Sequence, residues 1–476
     1  MSAPVGVWHH ASMDPSLSRR AFLASLVAAT AVRPARAQSS ASRIRPWPRN
    51  PRYWEYKGQP TLLLGASTDD NLFQIPDLDA HLDQMASIGA NYIRNTMSDR
   101  RDGGFEVYPF AQRDDGKYDL TQWHPEYWRR FDHMLAATAA RDIIVQIEVW
   151  DRFDYSRANW TRHPYNPANN ITYTHDTSGL GPDYPNHPGR NEQPFFFSPP
   201  SLRNNTVLLS IQQRFVDAML ARTLRHGHVL YCIDNETSGE EAWSIYWAEH
   251  IQRRAREAGV EVYVTEMWDA HDLRDDQHRR TFDHPDRYAF VDVSQNNHQT
   301  GQTHWYNIQW VRERLSARPR PINTVKTYGA DAGPYGTDHD GLARWWRHVI
   351  GGAASVRFHR PPTGLGMSDR AQASVRAARA LTSHVALWDM APANELLSGR
   401  AEDGAYLSAQ RGRQYALFFP QGGRVGLDLQ GSAGPFTLRW FDVATGEPGP
   451  SMTVPGERVI TLLTPTDGMW AAALSK

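Results

Sequence analysis

Asn235 and Glu236 close the apolar run Val229-Leu-Tyr-Cys-Ile-Asp, and a carboxylic acid delivered at the end of a buried strand can give a proton to a leaving group. The competing reading is a glutamate that only caps the helix expected over 240–258. Other apolar runs end in the same kind of chemistry. Asp69, Asp70 and Asn71 follow one, Arg94 and Asn95 sit on a second, and Glu148, Trp150 and Asp151 end a third. Glu266 and Trp268, then Gln295, Asn297 and His298, then Lys326 and Tyr328, then Arg357 and His359 continue the series. Glu236 is the first candidate for a general acid, with Glu266 or Glu148 as the second carboxylate, acting as nucleophile or as base for water. The candidate substrate-binding set is Asp70, Arg94, Asn95, Trp150, Asp151, Asn235, Trp268, Asn297, His298, Lys326, Tyr328 and His359.

The elements that must position these groups alternate along the chain. Strands are expected over 61–66, 91–97, 143–149, 229–235, 262–265, 289–294, 321–325 and 354–358. Helical spacing of apolar residues marks 78–88, 126–140, 206–225, 240–258, 308–315, 341–350 and 368–381. Eight strands in this rhythm predict a (β/α)8 barrel over 45–388, because right-handed crossovers place every helix outside a closed parallel sheet. In such a barrel the residues just past the strands' carboxyl ends share one cleft. No G-x-G-x-x-G follows the first strand, which argues against an open dinucleotide-binding sheet. A hairpin over 45–59 is expected to cover the barrel floor. From 392 to 476 the pattern changes to short alternating strands separated by Gly and Pro turns, a small antiparallel β-sandwich that braces the barrel or binds carbohydrate. The long connection 151–201 carries Trp160, Tyr165, Tyr173, Tyr184 and Phe195-Phe-Phe, read as a wall of the cleft.

The chain has 476 residues and a formal net charge of -1, with acids and bases balanced. That gives no electrostatic footprint for nucleic acid and no basic patch for a membrane surface. Its 17 tryptophans and 19 tyrosines suit the apolar faces of sugar rings, although core packing uses the same residues. Ser18-Arg19-Arg20-Ala21-Phe22-Leu23, an apolar stretch to Val32 and Ala35-Arg36-Ala37 read as a twin-arginine export signal over 1–37, too short in its apolar part to span a bilayer. A periplasmic or secreted protein is expected. Cys232 is the single cysteine, so no intramolecular disulfide is possible. His226-Gly-His228 precedes a strand, at the floor rather than the mouth, and no motif calls for a metal or other cofactor.

An Asn-Glu pair closing the fourth strand resembles the acid/base position of clan A glycoside hydrolases. The 52–71 opening, the Gly89-Ala90-Asn91-Tyr92-Ile93-Arg94 run and the terminal sandwich are similar to the apiosidase-like glycosidase group of that clan, with its collagenase-type "collagen-binding" sandwich. The resemblance implies a hydrolase of plant or microbial glycans, acting on an oligo- or polysaccharide through paired carboxylates. It also implies a nucleophilic glutamate after the seventh strand, where this chain has Asn323-Thr324-Val325-Lys326. A lysine cannot form a glycosyl ester, which leaves retention or inversion open. Three readings follow: Glu236 with Glu266 or Glu148 as its partner and Lys326 tuning one of them; a glycan-binding barrel without catalysis; or a polysaccharide lyase using Lys326 or Tyr328 as base.

Overall fold

The computed structural model describes residues 42–97, 100, 103–330 and 332–476; the export signal expected over 1–37 lies outside them. Eight parallel strands form one sheet: β1 (Leu63–Ala66), β2 (Tyr92–Thr96), β3 (Ile144–Asp151), β4 (Val229–Asn235), β5 (Val264–Thr265), β6 (Val291–Asp292), β7 (Ile322–Thr327) and β8 (Ser355–Phe358). The order β5-β4-β3-β2-β1-β8-β7-β6 is that of a (β/α)8 barrel, nearly closed, with the two-residue strands β5 and β6 at its unpaired seam. Every residue of these strands is buried, as continuous apolar runs with helices outside require.

Each strand is followed by a helix: α1 (Leu78–Ser87), α2 (Pro125–Ala140), α3 (Thr206–Thr223), α4 (Glu241–Glu257), α5 (Asp276–Phe282), α6 (Gly301–Arg314), α7 (Asp338–Ile350) and α8 (Asp369–Thr382). Helix α5 is too short and too polar for its periodicity to stand out in the sequence. Helix α1 ends where Gly89 takes φ +78, a left-handed stop that Gly adopts without strain. Among the described residues, no helix is long and apolar enough to cross a membrane. No group of three or more His, Cys, Asp or Glu among them could hold a metal ion.

The connection after β3 departs from expectation. Its rings face one another: Tyr155 lies 4.3 Å from Phe195, Tyr165 4.9 Å from Phe195, and Trp160 5.4 Å from Tyr184. Trp160, Tyr165, Tyr173, Phe195 and Phe196 are all buried, so the aromatics build a small core inside the excursion and do not line the cleft. Burying each ring contributes about 1.5–3 kcal/mol.

Two antiparallel sheets follow the barrel. One contains β9 (Ala391–Pro392), β11 (Tyr406–Gln410), β12 (Gln414–Phe419), β14 (Phe436–Asp442), β15 (Pro448–Val454) and β17 (Trp470–Ser475); the other contains β10 (Leu397–Ser398), β13 (Arg424–Asp428) and β16 (Val459–Leu463). Alternation along the larger sheet serves two cores. Leu407, Leu417, Trp440 and Ala472 face the smaller sheet, whereas Tyr406, Phe418, Ala471 and Ala473 belong to the barrel's core. Phe418 stacks on Trp346 of α7 at 5.6 Å, and Ser408 bonds the Ile350 carbonyl at 2.6 Å.

Candidate active site

The mouth of the barrel is organised by Arg94 at the centre of β2. Its guanidinium meets Glu148 at 2.5 Å, Asp70 at 2.7 Å and the Asn235 side-chain oxygen at 2.8 Å. Burial works against this charge, but Asp70 and Glu148 outweigh it and the guanidinium is held firmly charged. Asn235 accepts a second bond from Lys326 Nζ at 2.5 Å and donates to Asp151 at 2.9 Å. Asp70 also meets Arg357 at 3.2 Å and Arg360 at 3.0 Å, with His359 at 3.7 Å. Burial would raise its carboxyl, yet Arg94, with Arg357 and Arg360, keeps it well below the usual range.

Above this layer stands Glu236. Its Oε1 takes Lys326 Nζ at 2.7 Å, the Tyr328 hydroxyl at 3.2 Å and Gln295 Nε2 at 3.2 Å. Burial alone would raise this carboxyl; Lys326, helped by Arg94 and His359, overrides it and brings it down to about 2. The residue expected to be the proton donor is therefore an anion. Replacing Lys326 by Met should move the acid limb of any rate dependent on ionised Glu236 from about 2 towards the ordinary glutamate value of about 4.3, read from the pH dependence of kcat/KM.

A neighbouring carboxyl has the opposite character. Asp269, half-buried beyond β5, is pushed up to about 7 by burial first and then by Glu236, with Lys326 opposing. The two acids lie on segments joined as a short ladder: the Thr237 amide donates to the Met267 carbonyl at 2.9 Å and the Asp269 amide to the Thr237 carbonyl at 3.0 Å. Asp269 directly follows Trp268, one residue beyond the strand-end groups that the sequence nominates.

The other expected site residues separate into two groups. Asp70, Asn235, Glu236, Lys326, Tyr328, His298 and His359 are gathered at the mouth. Glu148 is fully buried, locked by Arg94 beneath Asn235, so it does not reach a substrate. Glu266 points away from the cleft, between β4 and Ser244 of α4. Trp150 packs on Phe215, Trp243 and Trp247, outside the barrel. Alternation fails at the end of β3, where Glu148 and Asp151, three apart, both turn inward and force Trp150 out. Trp268 donates to Thr281 of α5 at 2.8 Å and is likewise core. Asn95 and Asn297 are structural: the first accepts the Phe73 amide at 3.0 Å and the second the Tyr328 amide at 3.0 Å. Asp151 is buried and caps the turn after β3 through the Phe153 amide.

Rings line one side of the mouth without a break. His359 meets Tyr328 at 4.7 Å, Tyr328 meets Tyr335 at 4.4 Å, Tyr335 meets His298 at 5.4 Å, and His298 stacks on exposed His271 at 3.4 Å. Burial, then His271, lowers His298 to about 4, leaving a neutral imidazole at neutral pH. A cavity of about 630 Å³ at the opposite rim, lined by Glu261, Tyr263 and Arg287, opens at strand starts, where barrels of this kind do not place their chemistry.

No family model matches the chain, and no curated protein does. Solved structures do match in fold. A glycoside hydrolase family 5 protein from Bacteroides vulgatus superposes with a TM-score of 0.60 at 11% identity, covering 92% of this chain and 94% of that one. A structure described as a glycoside hydrolase gives 0.61 at 11%, covering 92% and 97%, and a putative glycoside hydrolase from Bacteroides vulgatus gives 0.58 at 9%, covering 92% and 83%. At this identity the likeness is one of architecture, a (β/α)8 barrel continued by a C-terminal antiparallel β domain.

Proposed function

We propose that the chain is a glycoside hydrolase in which ionised Glu236 and protonated Asp269 act as the carboxylate pair. What carries this reading is that Glu236 and Asp269 are borne by two segments joined as one short ladder at the carboxyl ends of β4 and β5, with Lys326 Nζ 2.7 Å from Glu236 holding that carboxyl down while burial and then Glu236 push Asp269 up. Glycosidic cleavage needs this division: one group protonates the departing oxygen while an anion attacks the sugar or deprotonates water. Lys326, where a retaining clan A enzyme carries its nucleophile, keeps Glu236 ionised instead of attacking. Of the arc from His359 to His271, half-buried Tyr335 and exposed His271 are open to a substrate, and a tyrosine ring suits the apolar face of a pyranose. The architecture shared with glycoside hydrolases agrees with this chemistry, and the Gly89 to Arg94 run supports the apiosidase-like assignment.

A lyase using Tyr328 as base fits less well. Its hydroxyl is pushed well above the usual range by burial and by Glu236, to which it donates.

Incubation with a panel of plant and microbial glycans should release new reducing ends. Its kcat/KM should be flat between about 2 and about 7, falling below as Glu236 protonates and above as Asp269 ionises. Binding without release would favour a non-catalytic glycan receptor, and ultraviolet absorbance from an unsaturated product would favour a lyase. The anomer first released, followed by proton NMR, distinguishes Glu236 as nucleophile from Glu236 as base. Export to the periplasm rests on the Ser18 to Ala37 motif and is tested by fractionating cells that carry Arg19→Lys and Arg20→Lys together.

A further inference from the structure

Strands β4 and β5 do not run in step at their carboxyl ends. Pairing is regular as far as Cys232 with Thr265 and resumes at Thr237 with Trp268, so five steps of chain on β4 face three on β5. An excess of this kind is taken up as a bulge, with a local kink and an amide that the neighbouring backbone cannot satisfy. The kink falls at Glu236, whose φ of +46 is left-handed, a conformation a non-glycine residue rarely holds without support. The stranded amide is that of Asp234, and Glu266 Oε1 accepts it at 2.9 Å. The same oxygen accepts the Met267 amide at 2.9 Å, and Ser244 of α4 meets the other oxygen. One carboxyl thereby fastens the segment that carries Glu236 two residues on to the segment that carries Asp269 two residues on.

We propose that Glu266 is a positioning residue that fixes the separation of Glu236 and Asp269 by clamping the β4 bulge to β5; this rests on the acid and base roles proposed above. Burial first, and then Asp234, push the Glu266 carboxyl well above its usual range. A neutral side chain suits the role, since it needs one accepting oxygen for two amides and a second polar atom for Ser244. The other ionisable groups facing it are Asp234, Arg152, Tyr288 and Cys232, with Arg152 3.7 Å from Asp234.

Glutamine reproduces this clamp, so Glu266→Gln should keep kcat within about twofold and leave the alkaline limb at about 7. Glu266→Ala should lower kcat about a hundredfold with KM nearly unchanged, the cost of a displacement of about 1 Å. Its alkaline limb should also move down, because parting the two segments reduces the burial, and then the repulsion from Glu236, that raise Asp269. Should the alanine variant fail to fold by circular dichroism, Glu266→Asp, too short to reach both amides, carries the same expectation. Loss of activity in Glu266→Gln, or an unchanged kcat and limb in the alanine or aspartate variant, would overturn the clamp. If Glu236→Gln turns over normally, the acid and base reading itself fails, and the two failures are told apart.

Discussion

Replacing Glu236 by Gln should lower kcat at least about a thousandfold, the upper part of the range for a lost proton-transfer group and a lower bound for a lost nucleophile. Glutamine keeps an oxygen for Lys326 Nζ and the Tyr328 hydroxyl, so the hydrogen bonds at 2.7 and 3.2 Å retain an acceptor and the mouth keeps its shape. What disappears is the anion. The loss should therefore fall on kcat, with KM changing little, and should persist for substrates with good leaving groups, because attack on the sugar is impaired whatever departs. Steady-state assays on the glycan identified by the panel check this. Activity within tenfold of the parent protein would remove Glu236 from the mechanism.

Asp269→Asn should separate from it by leaving group. With a sugar alcohol as leaving group, loss of the general acid is expected to cost about a hundredfold to ten-thousandfold. With a dinitrophenyl glycoside of the same sugar the cost should shrink towards nothing, since that phenolate departs unprotonated. The alkaline limb at about 7 should vanish in the same variant, because the group that ionises there is gone. Equal losses on both substrates would assign Asp269 a structural part instead.

Much of the barrel was legible because its strands are buried on both faces and so read as unbroken apolar runs, as Val229 to Ile233 does. Less could be read where tertiary packing decides. Trp150 and Trp268 have the composition of a sugar platform and follow their strands at the right distance, yet they turn outward. Nothing local distinguishes an inward from an outward residue once the strand's alternation breaks. The aromatics of the excursion after β3 misled for a related reason: a long loop needs an apolar core of its own before it can serve anything else. Glu266 and Glu236 both follow apolar runs, and only the register between β4 and β5 reveals that one faces the cleft and the other the wall. Asp269 was missed because its character comes from a neighbour 33 positions away in sequence, Glu236, and from burial that no pattern encodes.

The six-stranded sheet that spends Phe418 and Ala471 on the barrel and Leu417 and Ala472 on its own partner sheet makes the change of pattern near residue 390 a border of topology and not of stability. Severing the chain there would bare Trp346 and its neighbours to water. The barrel is therefore not a free cassette, and a form without the tail would need α7 and α8 resurfaced.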